Sequence, residues 1–162
     1  MTIRRYPIWC MALAALLAYG LTVAAEPTRA ELQTRAARAM AAGNIGTAVQ
    51  SLEELRFTNQ ISVPLRVSLA RAYLRLGRRD EALTEVQIAL RSDPANRNAL
   101  KTRGEIAVSS GDWSAARDAF ADLAQRDPTN AGVHLLLGQA LQGLGEQTAA
   151  EAAFNRYVEL SR

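Results

Sequence analysis

Few residues in this chain have the type and spacing that chemistry requires. Metal binding needs clustered ligands, yet His134 is the only histidine and Cys10 the only cysteine. Nucleophilic catalysis needs a hydroxyl or thiol within reach of a base. Ser109 and Ser110 stand beside Gly111 with no base to activate them, and they read as helix-end residues. Gly138, Gly143 and Gly145 are close together, as in a loop that cradles phosphate, but a longer periodicity accounts for Gly138 and Gly145. The carboxylate pairs Glu53-Glu54 and Asp80-Glu81 fall at polar helix positions. Asp80-Glu81 opens a helix, where the backbone dipole favours negative charge. No catalytic group, metal or cofactor is therefore expected.

The chemistry that remains is binding. Arg71 and Arg75 lie one helical turn apart and share a face. An arginine grips a carboxylate with two parallel hydrogen bonds. Asn98, Lys101 and Glu105 follow at corresponding positions of a later helix, then Gln139 and Gln142. Together they read as a polar, partly basic surface for an extended peptide or an acidic segment.

A fixed period must position these residues. Gly43, Gly77, Gly111 and Gly145 are each 34 residues apart, as are Ala48, Ala82, Ala116 and Ala150, and Leu52, Val86, Phe120 and Phe154. Asp93-Pro94-Ala95-Asn96 returns as Asp127-Pro128-Thr129-Asn130 in the same phase. Self-similarity at this period marks stacked supersecondary units.

Each unit divides into two helix-length segments at the repeated glycine. In the third unit they span residues 97–110 and 113–125. Gly111 takes the left-handed conformation that ends a helix, Asp112 suits the next N-cap, and Asp127 before Pro128 stops the pair. Asn130 is placed to cap the unit that follows. Within the segments, Leu137, Leu141 and Leu144 and then Ala150, Phe154, Tyr157 and Val158 keep helical spacing. Small residues recur where paired helices must approach: Ala36, Ala70, Gly104 and Gly138.

The pattern Leu69-Ala70…Tyr73…Gly77…Ala82…Ala89…Pro94, with Gly104…Gly111…Ala116…Phe120…Pro128 and Leu137-Gly138…Leu141…Gly145…Ala150…Phe154, resembles the tetratricopeptide repeat (TPR) family. The resemblance covers residues 29–162, in units of 29–62, 63–96, 97–130 and 131–162. It implies an all-α solenoid of antiparallel helix pairs in a right-handed superhelix. Its concave face, lined mainly by the first helices, usually binds peptides, and this places Arg71, Arg75, Asn98, Lys101, Glu105, Gln139 and Gln142 on that face. Lys101 and Asn98 alone do not complete the family's carboxylate clamp. The first unit departs most, with Arg35 where a leucine is usual and Gln60 where a proline is usual. Leu32, Arg66, Leu100 and His134 stand where the family carries a large aromatic, and Arg103 replaces a leucine.

The last helix, residues 147–160, is crowded with Phe154, Tyr157 and Val158. A terminal repeat exposes its stacking face unless it is capped. That face is expected to dock a partner or a second copy.

The chain opens with Met1-Thr2-Ile3-Arg4-Arg5, then an uncharged run over residues 8–25 that closes in Val23-Ala24-Ala25. This is the order of a secretory signal, so residues 1–25 are expected to be removed and the repeats to lie in a bacterial periplasm. The alternative is an uncleaved inner-membrane anchor, since spanning takes roughly 17–25 residues. Cys10 lies inside the run, away from its end, where a lipid-modified cysteine would stand.

The net charge of +3 includes Arg4 and Arg5; residues 26–162 hold 17 basic against 16 acidic side chains, which gives no reason to expect nucleic acid. Residues 56–103 carry 10 basic against 4 acidic, and residues 104–162 the reverse, 4 against 8. The expected function is a non-catalytic protein-interaction adaptor of the cell envelope. Exported proteins of this layout serve pilus assembly, polysaccharide secretion, outer-membrane assembly and cytochrome maturation. The alternative is a membrane-anchored accessory subunit of an envelope enzyme or transporter.

Overall fold

Helix starts recur at a fixed interval because the glycine turns between paired helices do. A computed structural model describes residues 26–162; the expected signal or anchor segment lies outside the described residues. Eight helices and no strand occur among the described residues: α1 (Arg29–Ala41), α2 (Ile45–Phe57), α3 (Val63–Arg75), α4 (Arg79–Ser92), α5 (Arg97–Ser109), α6 (Trp113–Arg126), α7 (Ala131–Gly143) and α8 (Gln147–Leu160). Consecutive helices pack as antiparallel pairs, each pair stacks on the next, and α3 also reaches α5. This is the all-α solenoid that the periodicity implies.

The four turn glycines have φ of 74°, 75°, 73° and 78°. A Cβ at any of them would meet nothing within 4 Å. Backbone conformation, not space, thus selects glycine there. At Gly111 the turn closes with the Asp112 N–H on the Ala107 carbonyl at 2.9 Å, and the Asp112 carboxylate accepts from the Ala115 N–H at 3.0 Å to start α6. Thr28 and Glu31 cap α1 reciprocally: the Thr28 N–H donates to Glu31 at 2.7 Å and the Glu31 N–H to the Thr28 hydroxyl at 3.3 Å. Asn96 accepts from the Ala99 N–H at 3.0 Å.

One expected cap is corrected. Asn130 holds the N-cap position of α7, but its side chain makes no capping bond. Its amide donates to the Asp127 carboxylate at 3.3 Å, and the Val133 N–H takes the Asn130 backbone carbonyl at 3.1 Å. Asn96 makes the equivalent amide bond to Asp93 at 3.0 Å and still caps α5, so the two asparagines differ in the placement of the side-chain oxygen and not in the bond their amides make.

The joint between α2 and α3 is built differently from the two Asp-Pro joints. Asn59 adopts φ 54°, a role that asparagine fills when glycine is absent, and the Gln60 N–H closes on the Leu55 carbonyl at 2.8 Å. Pro64 then sits in the first turn of α3, where its missing N–H leaves no bond unmade.

The core is strung along the stack. Leu32, Leu52, Leu55, Leu69, Tyr73 and Val86 fill the first half, and Ala116, Phe120 and Ala140 the second. Close approach within the later pairs depends on Gly104 and Gly138, where an added Cβ would lie under 3.0 Å from the Phe120 and Phe154 rings respectively. Gly143 is a third such position, against Trp113. It ties the α6 start to the end of α7 and explains the glycine that the repeat phase left over.

Candidate protein-binding face

The first helices of the pairs are α1, α3, α5 and α7, and the proposed binding side chains sit on the last three. Arg71 and Arg75 are exposed on α3, and neither joins a salt bridge among the described residues. Arg71 lines a cleft of about 170 Å³ with Val67 and Ser68 of α3 and with Asn96 and Asn98 at the start of α5. Asn98 also borders a neighbouring cleft of about 200 Å³, with Lys101 and, across it, Gly132, Val133 and Leu136 of α7. Asn98 thus stands between two crevices that separate successive first helices. Lys101 is drawn to Glu105 at 3.8 Å, so part of the positive charge on α5 is neutralised in place. Arg75, Gln139 and Gln142 are exposed and line neither cleft.

The two ends of the stack differ. Arg35 and Arg38 are exposed beside Glu31 and Thr34 around an open depression of about 780 Å³. One repeat later the same positions are Leu69 and Ala72, fully buried among residues of the first pair. The arginine that departs from the repeat pattern therefore lies on a polar outer face of α1. At the other end, Phe154 packs with Leu141, Ala150 and Ala153 and its ring covers Gly138. Tyr157 is half-buried, and Val158 is 46% exposed.

The remaining polar side chains are tied into the scaffold. His134 Nε2 lies 2.9 Å from the Pro128 carbonyl oxygen. A carbonyl only accepts, so that nitrogen carries the proton and the ring braces the preceding turn. The Ser109 hydroxyl donates to the Ile106 carbonyl at 2.7 Å and accepts from Arg79 at 3.2 Å. Tyr73 is buried and donates to Glu53 at 2.6 Å, with the Arg78 guanidinium 4.4 Å above its ring. Burial first, and the bond to Glu53 next, push the Tyr73 hydroxyl up to about 12. Among the described residues no three His, Cys, Asp or Glu side chains gather as a metal site.

One cluster escaped sequence reasoning. Glu85 on α4 is buried, with its side chain 2% exposed, and accepts from Arg56 of α2 at 3.1 Å and from Arg66 of α3 at 2.7 Å. Arg66 shows in the sequence only as a missing aromatic. The available signal was its coincidence with two other charges at positions that are apolar or small in neighbouring units.

A family model described as tetratricopeptide repeat matches residues 67–131 and 101–162. Among solved structures, a crystal structure of MamA superposes with a TM-score of 0.76 at 19% identity, covering 92% of this chain and 84% of that one. MamA AMB-1 gives 0.69 at 24% identity, covering 80% and 70%. MamA from Desulfovibrio magneticus RS-1, from residue 41 to its end, gives 0.73 at 19%, covering 80% and 73%. At these identities the likeness concerns the fold. Comparison with curated proteins returned no match.

Proposed function

The chain belongs to the tetratricopeptide repeat family, whose stacked helix pairs are in general non-catalytic scaffolds for protein interaction, and on that footing we propose that it holds an extended, acidic protein segment across α3, α5 and α7. The observation that carries this reading is Arg71: exposed, without an ion-pair partner among the described residues, and lining one cleft with Asn98. A carboxylate of the bound segment meets the Arg71 guanidinium, which suits it in geometry and charge. The Asn98 amide supplies a donor and an acceptor for the segment's backbone. Arg75 extends the positive field toward the end of α3. Gln139 and Gln142 extend the polar surface on α7.

The setting proposed is the bacterial cell envelope, as an adaptor within a larger assembly. The basic, apolar and small-residue order of residues 1–25 supports export. A second reading, an accessory subunit anchored by that segment, is favoured by the length of its uncharged run. Intact mass of the mature protein separates the two. Loss of residues 1–25 supports the free adaptor, and their retention the anchored subunit.

The groove is tested by fluorescence anisotropy with acidic extended peptides and their lysine-substituted counterparts. Arg71→Glu with Arg75→Glu weakens acidic-peptide binding by about tenfold or more while the helical circular dichroism is unchanged, each lost or reversed pair counting on the order of 1 kcal/mol. Binding at the wild-type affinity overturns the reading.

A further inference from the structure

The two clefts beside Asn98 are one crevice, repeated. Pro64, Val67, Asn96 and Asn98 border the first. Moved on by 34 residues, these positions are Asn98, Lys101, Asn130 and Gly132, and all four border the second. The period therefore offers an extended segment two equivalent seats, one on each side of the start of α5. The seats differ in the residues that the period does not preserve.

The first seat takes a charge. Arg71 stands in it, exposed and without an ion-pair partner among the described residues. One period on, the residue is Glu105, which holds Lys101 at 3.8 Å. The other cation of the second seat, Arg97, is held by Asp127 at 3.3 Å. Both cations there are matched, and Asp127 repels a further carboxylate. The rest of the second seat is apolar: Leu123 and Val133 are buried, Leu136 is half-buried, and all three line it. Its volume is about 200 Å³. An apolar cavity of about 150 Å³ already holds a benzene-sized group, so the second seat has room for one leucine or valine side chain.

We propose that the segment is read as a two-part motif: an acidic side chain on Arg71 and a branched apolar side chain against Leu123, Val133 and Leu136, three residues apart. The motif rests on the groove reading given above and adds the identity of its ligand. The spacing follows from the helices. The seats flank one helix, and packed helices lie about 8–10 Å apart. In the polyproline II conformation a chain rises about 3.1 Å per residue and returns to the same side every third residue. Side chains three apart thus point the same way and stand about 9 Å from each other. A β-strand turns them to opposite faces. Asn98 meets the backbone between the two seats. It is the one amide at its repeat position, where the other units carry Ala30, Pro64 and Gly132.

The test is fluorescence anisotropy of the full chain with labelled peptides in a proline-, glycine- and serine-rich background. Each carries one glutamate and one leucine, in either order, at spacings of two, three and four, and a matched set has serine for leucine. One order at spacing three is expected to bind about tenfold more tightly than its serine counterpart. Gly132→Leu, which fills the second seat, is expected to abolish that difference and to leave the serine peptide bound as before. A Cβ at Gly132 meets only the Asn130 side-chain oxygen, at 3.4 Å, so the substitution is accommodated; the wild-type peptide series decides the matter even if that variant does not fold. The motif is overturned, with the acidic groove intact, if peptides bind through Arg71 but leucine adds nothing, adds only at spacings two or four, or adds as much in Gly132→Leu. If no peptide binds, or if Arg71→Glu leaves binding unchanged, the groove reading fails and the motif with it.

Discussion

Arg66 donates to Glu85 at 2.7 Å across the α3–α4 pair, and the carboxylate it meets is 2% exposed. Removing one partner leaves a buried charge unmatched, whereas removing all of them does not. Glu85→Ala alone should therefore destabilise the chain by about 3 kcal/mol, read as a lower midpoint in urea denaturation. Restoring neutrality with Arg56→Leu and Arg66→Leu should recover most of that loss. Arg56 is already 45% exposed, so a Glu85→Ala variant as stable as wild type would show that the Arg66 guanidinium, too, reaches solvent once the carboxylate is gone.

Gly104 and Gly111 are glycines for different reasons, and substitution separates them. At Gly104 an added methyl group would overlap the Phe120 ring, so Gly104→Ala should lower stability by about 1–3 kcal/mol through overpacking. Pairing it with Phe120→Leu should relieve part of the loss. At Gly111 there is open space but φ is 73°, so Gly111→Ala should lose about 1 kcal/mol through the backbone alone, with no rescue from Phe120→Leu. Double-mutant cycles in chemical denaturation measure both couplings.

Tyr73 provides a pH-dependent signal. Its hydroxyl is raised from 10.0 to about 12 in the folded chain, through burial and then through donation to Glu53. A raised value means that folding favours the protonated phenol. The resulting stability is fully present below pH 10 and is lost as pH climbs toward about 12. Tyr73→Phe should flatten that part of the stability-pH curve, and tyrosinate absorbance should assign the late-titrating group to Tyr73. The same variant leaves Glu53 without its hydroxyl donor, which should lower stability at neutral pH by about 1 kcal/mol.

His134 makes a narrower prediction. Its Nε2 proton is directed to the Pro128 carbonyl oxygen, so the ring acts as a brace. His134→Gln, which can still donate, should retain nearly all stability. His134→Leu should lose about 1 kcal/mol, with peptide binding unchanged in both, as measured by thermal unfolding and anisotropy.

Much of the fold is legible in the residues because each helix boundary has its own local cause. Gly111 and Asp112 announce a turn and a cap by backbone and hydrogen-bond chemistry that needs no tertiary partner. Gly104 is legible for a related reason, since a small residue in phase with Phe120 implies close approach. The buried ion cluster is not legible in that way. Arg56, Arg66 and Glu85 are far apart in sequence and appear singly as departures, and only packing brings them together. Arg35 is harder still to read. The same substitution weakens an interior repeat and suits an outer face, and only its exposure on α1 decides which. Asn130 shares its type and spacing with Asn96, yet only Asn96 makes the capping bond, a difference in side-chain placement that residue type does not carry. Of the binding face, the sequence places Arg71, Asn98 and Lys101 on neighbouring first helices, but the two clefts that Asn98 separates depend on how those helices pack.

The most direct test of the groove is a chemical-shift titration of isotope-labelled protein with an extended acidic peptide. The account predicts shifts that cluster on Arg71, Asn98 and Lys101 and spread along α3, α5 and α7, and that vanish in the Arg71→Glu with Arg75→Glu variant. Shifts confined to α8 or to the polar face of α1, or no shifts at all, would contradict it.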